Sequence, residues 1–338
     1  MSETLQVTGK NGLGDLQILS RETPRPFRDM VLVRTTAAAL NYRDLALIVG
    51  ISTAGPSIPY TPLSDACGIV EEVGEDVKGL RPGDRVCSTF FPTWQSGRRA
   101  PEKLSMLGAS ELGVGQQHFL LPQSALARPP DFLTDIQAAT LPCAALTAWR
   151  AVLDGTGLLP GETILLQGTG GVSIFALQFA VAAGLRAIVT SSSDEKLERA
   201  KALGATDGIN YRSKPDWAAE ALQLTSGKGV DLVVEVGGAG TLAQSIRAVR
   251  LEGTISLVGM LAGGTQPLDV RTIYMKNVIV RGITVGSLEM FQRMCKAISA
   301  HNIEPVVCKV FPWREARSAF EALKQGGHIG KIVLDFTT

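Results

Sequence analysis

A glycine-rich turn between an apolar strand and an apolar helix most constrains what this chain can fold into. Residues 163–167 form a short β-rich apolar run, residues 168–173 read Gly-Thr-Gly-Gly-Val-Ser, and residues 174–183 have an apolar helical pattern. In such a turn, the free N–H groups and the dipole of the helix N-terminus bind a pyrophosphate. The pattern therefore predicts a dinucleotide-binding turn. The residues expected to approach the ligand are Gly168, Thr169, Gly170, Gly171 and Val172.

The motif by itself leaves an alternative open. Gly168 and Gly170 fit the first two glycines of G-x-G-x-x-G, but Ser173 stands at the third position. A plain tight turn has a similar composition. The strand before the turn and the helix after it are the context that a nucleotide site requires, so they favour the nucleotide site.

The residues that follow repeat the alternation of strand and helix. Predicted strands cover residues 186–190, 208–211, 231–236, 254–258 and 278–281, and predicted helices cover residues 194–203, 217–224 and 242–249. Strands that alternate with helices indicate βαβ units and a parallel sheet. Together with residues 163–167 they give six strands, which match the doubly wound nucleotide fold. We therefore predict an α/β protein with a six-stranded parallel Rossmann domain over residues 129–286.

The residues before this domain have a different texture. Gly, Pro and β-branched residues dominate, and residues 29–38, 67–73 and 86–89 are predicted strands, as in a small twisted β-barrel. After the Rossmann domain the pattern predicts helices at 289–300 and 314–324 and a last strand at 331–335. We expect this tail to return to the first domain, which then comprises residues 1–128 with 287–338.

Composition excludes several classes of protein. The chain has 338 residues and a formal net charge of +1. Because it carries no long basic run, no apolar leader and no apolar span long enough for a bilayer, we expect neither a nucleic-acid partner nor a membrane. Its five cysteines are scattered and odd in number, which favours reduced thiols over a disulfide framework. These features predict a cytoplasmic enzyme.

Several ordered motifs resemble those of the medium-chain dehydrogenase/reductase superfamily. They are 68–74 (GIVEEVG), 82–86 (PGDRV), 141–149 (LPCAALTAW), 167–172 (QGTGGV), 194–197 (DEKL) and 203–205 (LGA). The resemblance covers nearly the whole chain. It implies a GroES-like β-barrel domain plus a Rossmann domain, with substrate and nicotinamide meeting in the cleft between them.

The sequence departs from the alcohol dehydrogenase branch of that superfamily at the metal sites. By resemblance, the first Cys ligand of a catalytic zinc falls on Asn41 and the His ligand on Ser64, and Cys143 alone keeps its type. An amide and a hydroxyl are poor zinc ligands. The loop after Val86 also lacks the four close cysteines of a structural zinc lobe. We therefore expect no metal, and Cys143 is then most simply a small buried apolar residue.

The chain is more similar to the zinc-free branch, which comprises NADPH-dependent quinone oxidoreductases and enone reductases. Alcohol oxidation needs the acidity that zinc lends to a hydroxyl, and Arg43 replaces the usual hydroxyl of the proton relay. Hydride addition to an electron-poor C=C or quinone needs only a hydrogen-bond donor for the carbonyl oxygen. The resemblance gives that role to Asn41. It places Tyr42 and Tyr60 as candidate proton donors, with Asp44 beside them.

Structural roles for the same residues stay open. Arg43 and Asp44 could form an ion pair, Asp65 could cap a turn, and either tyrosine could be packing. Three aromatic residues could form an apolar wall over the substrate or simply anchor a long loop. They are Phe90, Phe91 and Trp94.

The end of the second Rossmann strand indicates the cofactor. An NAD site normally has Asp or Glu there, about 20 residues past the glycines, to bind the ribose 2′-OH. Here Ser191 and Ser192 offer hydroxyls instead, and Lys196 adds a positive charge that suits a 2′-phosphate. By resemblance, Tyr211 stacks near that phosphate. The sequence therefore predicts NADP(H), while a helix capping box from Ser192 to Glu195 is the structural alternative.

The resemblance implies further cofactor contacts and a partner. The contacts are Thr147, Val236, Gly237, Val258, Gly259, Val285, Gly286 and Ser287. The strand at 278–282 resembles the edge strand through which family members dimerise, so we expect a homodimer that acts on a small carbonyl-containing substrate such as an enone, quinone or aldehyde. Two other functions stay open, namely an NADP-dependent alcohol dehydrogenase or aldehyde reductase, and an NADPH-binding protein without catalysis.

Overall fold

The computed structural model describes residues 1–51, 56–265 and 267–338. These residues form two compact units. The first unit comprises Met1–Leu146 with Val285–Thr338, and the second comprises Thr147–Thr284.

The elements of the described residues follow in chain order. The strands are β1 (Ser2–Val7), β2 (Leu16–Arg21), β3 (Met30–Ala39), β4 (Asp65–Val73), β5 (Arg85–Ser88), β6 (His118–Pro122), β7 (Leu126–Ala127), β8 (Thr163–Gln167), β9 (Arg186–Ser191), β10 (Asp207–Asn210), β11 (Val230–Glu235), β12 (Val249–Leu257), β13 (Ile279–Gly282), β14 (Val307–Pro312) and β15 (Lys331–Asp335). The α-helices are α1 (Tyr42–Ile48), α2 (Asp135–Ala138), α3 (Leu146–Val152), α4 (Gly171–Ala182), α5 (Asp194–Ala202), α6 (Trp217–Leu224), α7 (Leu242–Ala248), α8 (Val270–Lys276), α9 (Leu288–His301) and α10 (Ala316–Gln325).

The second unit is built on a six-stranded parallel sheet. Its strand order is β10-β9-β8-β11-β12-β13, and every neighbouring pair is parallel. Numbered from β8, this is the order 3-2-1-4-5-6 of the doubly wound nucleotide fold. The central strands are continuous apolar runs because both faces of the sheet are covered, and Leu165, Val233 and Ile255 are fully buried. The predicted fold class is confirmed.

The first unit contains a seven-stranded sheet and the small sheet β1-β2. The order of the larger sheet is β14-β15-β3-β4-β5-β7, with β6 paired to β3. Its apolar core includes Val31, Val33, Phe119 and Leu334. Since β3 lies between β4 and β15, the carboxyl end of β3 meets the beginnings of both neighbours, and Ala39 faces Asp65 on one side and Val333 on the other. Three strand ends therefore converge where α1 begins.

The division into units differs from the predicted domain boundaries. The sequence places them at 128/129 and 286/287, whereas the structure divides the chain after Leu146 and after Thr284. The residues after 128 stay with the first unit because α2 packs on β3 and β4, and the π-helical turn Leu141–Ala145 packs on β4. No helix of the described residues is long and apolar enough to cross a membrane.

Candidate active site

Asn41 lies in the first unit at the junction of β3 and α1. It has extended backbone angles (φ −122°, ψ 151°) and is the N-cap of α1. Its backbone N–H donates to Oδ2 of Asp44 over 2.9 Å, as in the reverse arm of a capping box. An acidic residue in the first turn also suits the helix dipole. The sequence Asn-Tyr-Arg-Asp therefore starts the helix and fixes the Asn41 backbone.

Asp44 is buried beneath this turn and paired with its neighbour. Arg43 donates from Nη1 to Oδ1 of Asp44 over 3.2 Å and to the carbonyl oxygen of Leu107 over 2.8 Å. The guanidinium carbon lies 5.0 Å from the centre of the Phe90 ring. Burial raises the pKa of Asp44, and the charges of Arg43 and Lys331 oppose that rise. The ion pair that the sequence left open is confirmed.

Asp65 is a second fully buried carboxyl in the same region. Its Oδ1 accepts a hydrogen bond from the Ser64 hydroxyl over 2.5 Å, and its Oδ2 accepts one from the backbone N–H of Cys143 over 3.0 Å. Burial raises the pKa of Asp65 to about 6, against the lowering effects of Lys331 and the Ser64 hydroxyl. Asp65 thus caps the turn that carries Cys143.

The two candidate proton donors, Tyr60 and Tyr42, differ in burial. Tyr60 is buried in the apolar core of the first unit, and its hydroxyl has no hydrogen-bond partner. Burial and the charge of Asp44 raise the pKa of Tyr60 to about 12. Tyr42 begins α1 and is 44% exposed. Of the two, only Tyr60 is buried near Asp44.

Lys331 is a buried charged residue at this place that the sequence analysis does not single out. It begins β15, is only 4% exposed, and donates from Nζ to the carbonyl oxygen of Leu40 and to Oδ1 of Asn41, both over 2.6 Å. The other side-chain atom of Asn41, Nδ2, is buried and has no hydrogen-bond partner of acceptable geometry. A lysine directly before the apolar run 332–334 is the one signal in the sequence, because such a position can be buried once the strand pairs.

The residues at the positions where the alcohol dehydrogenase branch has its zinc ligands do not suit zinc. The Asn41 carbonyl oxygen already contacts an ammonium group, and the Ser64 hydroxyl is committed to Asp65. Burial raises the pKa of the Cys143 thiol, which disfavours the thiolate that zinc binds. Within residues 1–51, 56–265 and 267–338, no group of three or more His, Cys, Asp or Glu side chains is placed to hold a metal ion.

The aromatic cluster of the following loop is inside the protein. Phe90, Phe91 and Trp94 are each at most 5% exposed. Phe91 makes edge-on contacts with both of the others, with ring centres 4.7 and 5.8 Å apart. These contacts support the anchoring role for the aromatic residues.

The glycine turn of the second unit has the geometry of an anion site. Gly168 adopts a left-handed conformation (φ +73°), Gly170 is the N-cap of α4, and the helix begins at Gly171. A side chain built at Gly168 or Gly170 would meet no neighbouring atom within 4 Å, so the space in front of the turn is open. Ser173 at the third motif position donates to the carbonyl oxygen of Gln167 over 2.6 Å and closes the turn. Thr169 and Val172 lie on this turn and the first turn of α4.

The residues predicted to select the cofactor lie at the carboxyl ends of two neighbouring strands. Ser191 ends β9, and its carbonyl oxygen accepts the backbone N–H of Tyr211 over 3.0 Å just after β10. The cap of α5 is Ser193, whose hydroxyl accepts the backbone N–H of Lys196 over 3.4 Å. The alternative of a capping box from Ser192 is therefore wrong, since the helix begins one residue later.

The other predicted cofactor residues fall into three places. Val236 and Gly237 follow β11 and donate their N–H groups to Oε1 of Gln167 over 3.1 and 3.2 Å, and Val258 and Gly259 follow β12 and donate to the carbonyl oxygen of Glu235. Thr147 is buried in the first turn of α3. In the first unit, Val285 has a left-handed backbone (φ +47°), Gly286 lies against Leu146, and Ser287 caps α9.

A buried carboxyl that the sequence did not single out organises one of these places. Glu235 is fully buried at the end of β11 and accepts hydrogen bonds from side chains of Gln167, Thr241 and Ser245. It also accepts the backbone N–H groups of Gly237 and Gly238 over 2.8 and 2.9 Å. Glu235 thus holds the loop after β11 in place.

Comparisons with known proteins agree with this architecture. Residues 28–131 match the alcohol dehydrogenase GroES-like domain, and residues 171–300 match the zinc-binding dehydrogenase family. A zinc-type alcohol dehydrogenase-like protein of Schizosaccharomyces pombe is 46% identical over 90% of each chain, and one of Leptosphaeria maculans is 34% identical over 95% of this chain and 94% of the other. A solved structure described as a putative alcohol dehydrogenase from Sinorhizobium meliloti has a TM-score of 0.92 at 37% identity, covering 99% of each chain.

The fold and these matches define an oxidoreductase with a GroES-like domain and a parallel six-stranded Rossmann domain. The chain belongs to the medium-chain dehydrogenase/reductase superfamily and, within it, to the zinc-type alcohol dehydrogenase-like proteins. It is therefore an enzyme of an NAD(P)-binding dehydrogenase family.

More distant relatives include quinone oxidoreductases. The human quinone oxidoreductase is 27% identical over 92% of this chain and 90% of its own length. A mycobacterial protein solved in complex with NADPH has a TM-score of 0.83 at 26% identity, covering 99% of this chain and 100% of the other. The names of the more similar relatives favour the alcohol dehydrogenase alternative over the quinone and enone reductase that the sequence analysis prefers.

Proposed function

We propose that this enzyme transfers a hydride from NADPH to an electron-poor C=C bond or quinone, without zinc. The observation that carries the proposal is Nδ2 of Asn41, a buried donor that makes no hydrogen bond of acceptable geometry, although the Asn41 side chain lies close enough to the Asp65 carboxyl to lower its pKa. A buried donor left unpaired is costly, so it needs an explanation, and a catalytic role or a bound ligand is one. The acceptor that suits an amide N–H group is the carbonyl oxygen of a substrate.

Asn41 would act by stabilising charge. NADPH, when bound, supplies the hydride. As the acceptor carbon gains it, the conjugated carbonyl oxygen becomes negative, and a donor held beside that oxygen lowers the barrier most in a site that excludes water. Asn41 is 7% exposed, so its amide is shielded from water in this way.

The second step needs a proton. Tyr60 is suited to give it, since its hydroxyl is also buried without a partner and its pKa, raised to about 12, keeps it protonated at neutral pH. Water can supply the same proton. Tyr42, exposed on α1, is the weaker of the two candidates.

The choice of NADPH rests on the carboxyl ends of β9 and β10. Ser191 and Ser192 offer hydroxyls, Lys196 lies on the first turn of α5, and Tyr211 stands beside Ser191 with an exposed ring. The carboxylate of Asp194 on the same turn accepts a hydrogen bond from Asn210 over 2.8 Å. The open glycine turn at Gly168–Gly171 would receive the pyrophosphate.

The second candidate is an NADP-dependent alcohol dehydrogenase or aldehyde reductase. The names of the more similar relatives favour it. In that case Asn41 would hold the oxygen of an aldehyde, and the reduced product would be an alcohol. Without a metal to acidify the hydroxyl, the reverse oxidation would be slow.

A panel assay that follows NADPH absorbance tests the proposal. The acceptors are a quinone, an enone, an aldehyde and a ketone, and alcohol oxidation is measured with NADP⁺. We expect turnover of the quinone and enone, and Asn41→Ala should lower enone turnover about a hundredfold with little change in NADPH affinity, since a lost donor of this kind slows reactions by about 10²–10³. The exposed Asn11→Ala is the matched control.

Two results would contradict the proposal. Full activity of Asn41→Ala on every acceptor that the parent reduces would remove Asn41 from the site. Fast oxidation of simple alcohols, without any reduction of quinone or enone, would support the alcohol dehydrogenase instead.

A further inference from the structure

Lys331 meets Asn41 because of the sheet topology. β15 pairs antiparallel with β3, and the backbone N–H of Leu40 donates to the carbonyl oxygen of Ile332 over 3.0 Å. This register brings Lys331 to the carboxyl end of β3 although it lies 290 residues further along the chain than Asn41. Both contacts of its ammonium group, to Leu40 and Asn41, are at that strand end.

The ammonium group fixes which way the Asn41 amide points. An ammonium has three donors and no acceptor, so the Asn41 atom that it contacts at 2.6 Å must be the carbonyl oxygen. The usual ambiguity between the oxygen and nitrogen of an amide does not arise here. Nδ2 consequently points away from Lys331, and it is the atom that makes no hydrogen bond of acceptable geometry.

The charge of Lys331 also matters to an oxygen that becomes negative. Asp44 and Asp65 are buried nearby, and the positive charge of Lys331 acts on the carboxyl groups of both. Without Lys331, the site would contain the same two buried acids and one positive charge fewer. A positive charge on the far side of the amide also polarises Nδ2 and strengthens it as a donor.

We propose that Lys331 is a positioning residue that orients and polarises the Asn41 amide, so that Nδ2 is presented to the oxygen of the substrate. The proposal rests on the proposed function, in which Asn41 is the donor. Lys331 itself contacts no reacting atom and acts through Asn41. In a metal-dependent relative, zinc would supply the positive charge. Here the ammonium group of Lys331 on β15 would supply it.

A double-mutant cycle on the full-length enzyme tests this role. Lys331→Met removes the charge and the donors at similar side-chain length. With an enone as acceptor, we expect it to lower kcat about tenfold or more and to leave the KM for NADPH unchanged. A donor that points the wrong way loses much of the rate acceleration that is lost when the donor is removed. In an Asn41→Ala background, Lys331→Met should change kcat less than about twofold, since the residue through which it acts is gone. Lys331→Arg, which keeps a charged donor, should recover part of kcat.

The controls separate a positioning role from a structural one. Lys309→Met changes an exposed lysine on the neighbouring strand β14 and should leave kcat at the parent value. Asn41→Asp keeps an oxygen acceptor for Lys331 but presents an oxygen in place of the Nδ2 donor. We expect Asn41→Asp to fold, as judged by its circular dichroism, and to be as slow as Asn41→Ala. This variant keeps the proposal testable if Lys331→Met does not fold.

The outcomes distinguish this inference from the proposed function. If Asn41→Ala is slow but Lys331→Met has the same effect with and without Asn41, Lys331 does not act through Asn41 and the inference is wrong. Activity of Asn41→Asp near the parent value would show that the amide points the other way, and it would also overturn the inference. If Asn41→Ala keeps full activity, the proposed function fails first.

Discussion

Asp65 and Cys143 are joined by a single hydrogen bond, from the backbone N–H of Cys143 to Oδ2 of Asp65 over 3.0 Å. The bond ties the start of β4 to the π-helical turn Leu141–Ala145, 78 residues later in the chain. The Ser64 hydroxyl satisfies the other oxygen of the same carboxyl. Asp65 is therefore a paired but fully buried acid, and burial still raises its pKa to about 6.

This pKa predicts how stability depends on pH. The pKa of Asp65 rises from 3.8 to about 6 on folding, so the folded chain binds more protons than the unfolded chain between these values. The contribution of Asp65 to the free energy of unfolding is therefore fully present below pH 4 and is lost as the pH rises through about 6. The shift corresponds to about 3 kcal/mol. Asp65→Asn should lack this decline.

Urea unfolding of the parent and of Asp65→Asn at pH 4, 5, 6 and 7 measures the effect. The free energy of unfolding of the parent should fall relative to that of the variant by as much as about 3 kcal/mol across this range. Asp76→Asn, at an exposed position of the same unit, is the control and should follow the parent. Parallel curves for the parent and Asp65→Asn would contradict the raised pKa.

Zinc content is a second prediction. Since the residues at the metal position are an amide bound to Lys331, a hydroxyl bound to Asp65 and a thiol with a raised pKa, the purified enzyme should contain much less than one zinc per chain. Incubation with a chelator should leave its activity unchanged. Elemental analysis and assays before and after chelation check this. Near-equimolar zinc that is lost together with activity would contradict it.

Cofactor preference is a third prediction. Charge-assisted contacts to the 2′-phosphate contribute about 1–3 kcal/mol each, so NADPH should bind about tenfold or more tightly than NADH. Lys196→Ala should reduce that ratio by weakening NADPH binding while NADH binding stays the same. Lys201→Ala, on the same helix but paired with Glu198, is the matched control. Titration of tryptophan fluorescence with both cofactors measures the affinities, and equal affinities in the parent would contradict the assignment.

The Rossmann unit could be predicted closely because its signals are local. Thr163–Gln167 and Trp217–Leu224 have the bounds that the sequence pattern gives, since each is a short run of one pattern bounded by turn residues. The predicted start of α5 at residue 194 is correct, and only the alternative capping box from Ser192 is one residue too early, because three consecutive serines can each cap a helix. Only the backbone angles show that Ser193 is the one that does.

The candidate site could be predicted only in part, for a different reason. Asn41 is identified through the metal position that it replaces, and Asp44 through the resemblance that places it close to that position. Lys331 could not be found in this way, because its contact with Asn41 depends on the pairing of β15 with β3 across most of the chain. Nothing local to residue 331 specifies that partner. The exposure of Tyr42 likewise depends on how α1 packs against the rest of the unit, which the local sequence pattern does not give.

A fourth prediction concerns the stability of the loop after β11. Five donors converge on the two carboxyl oxygens of Glu235, and a glutamine in its place would turn an NH₂ group toward some of them. Glu235→Gln should lower the free energy of unfolding by about 3 kcal/mol, since each buried donor left without an acceptor costs about 1–3 kcal/mol. Glu198→Gln, in an exposed ion pair on α5, should cost at most about 1 kcal/mol. Urea unfolding measures both, and similar values for the two variants would contradict the role of Glu235.

The last prediction is that the enzyme is a homodimer that forms through β13. This strand is the edge of the six-stranded sheet, and Ile279 and Val280 on it are 55% and 41% exposed. An apolar edge strand has unpaired N–H and C=O groups that a second copy can satisfy, whereas lysine on such an edge prevents pairing. Val280→Lys should therefore give monomers by light scattering coupled to size exclusion. Val310→Lys is the matched control, because Val310 is 48% exposed on β14, the edge of the sheet in the first unit. It should leave the dimer intact, and a parent that is monomeric at micromolar concentration would contradict the prediction.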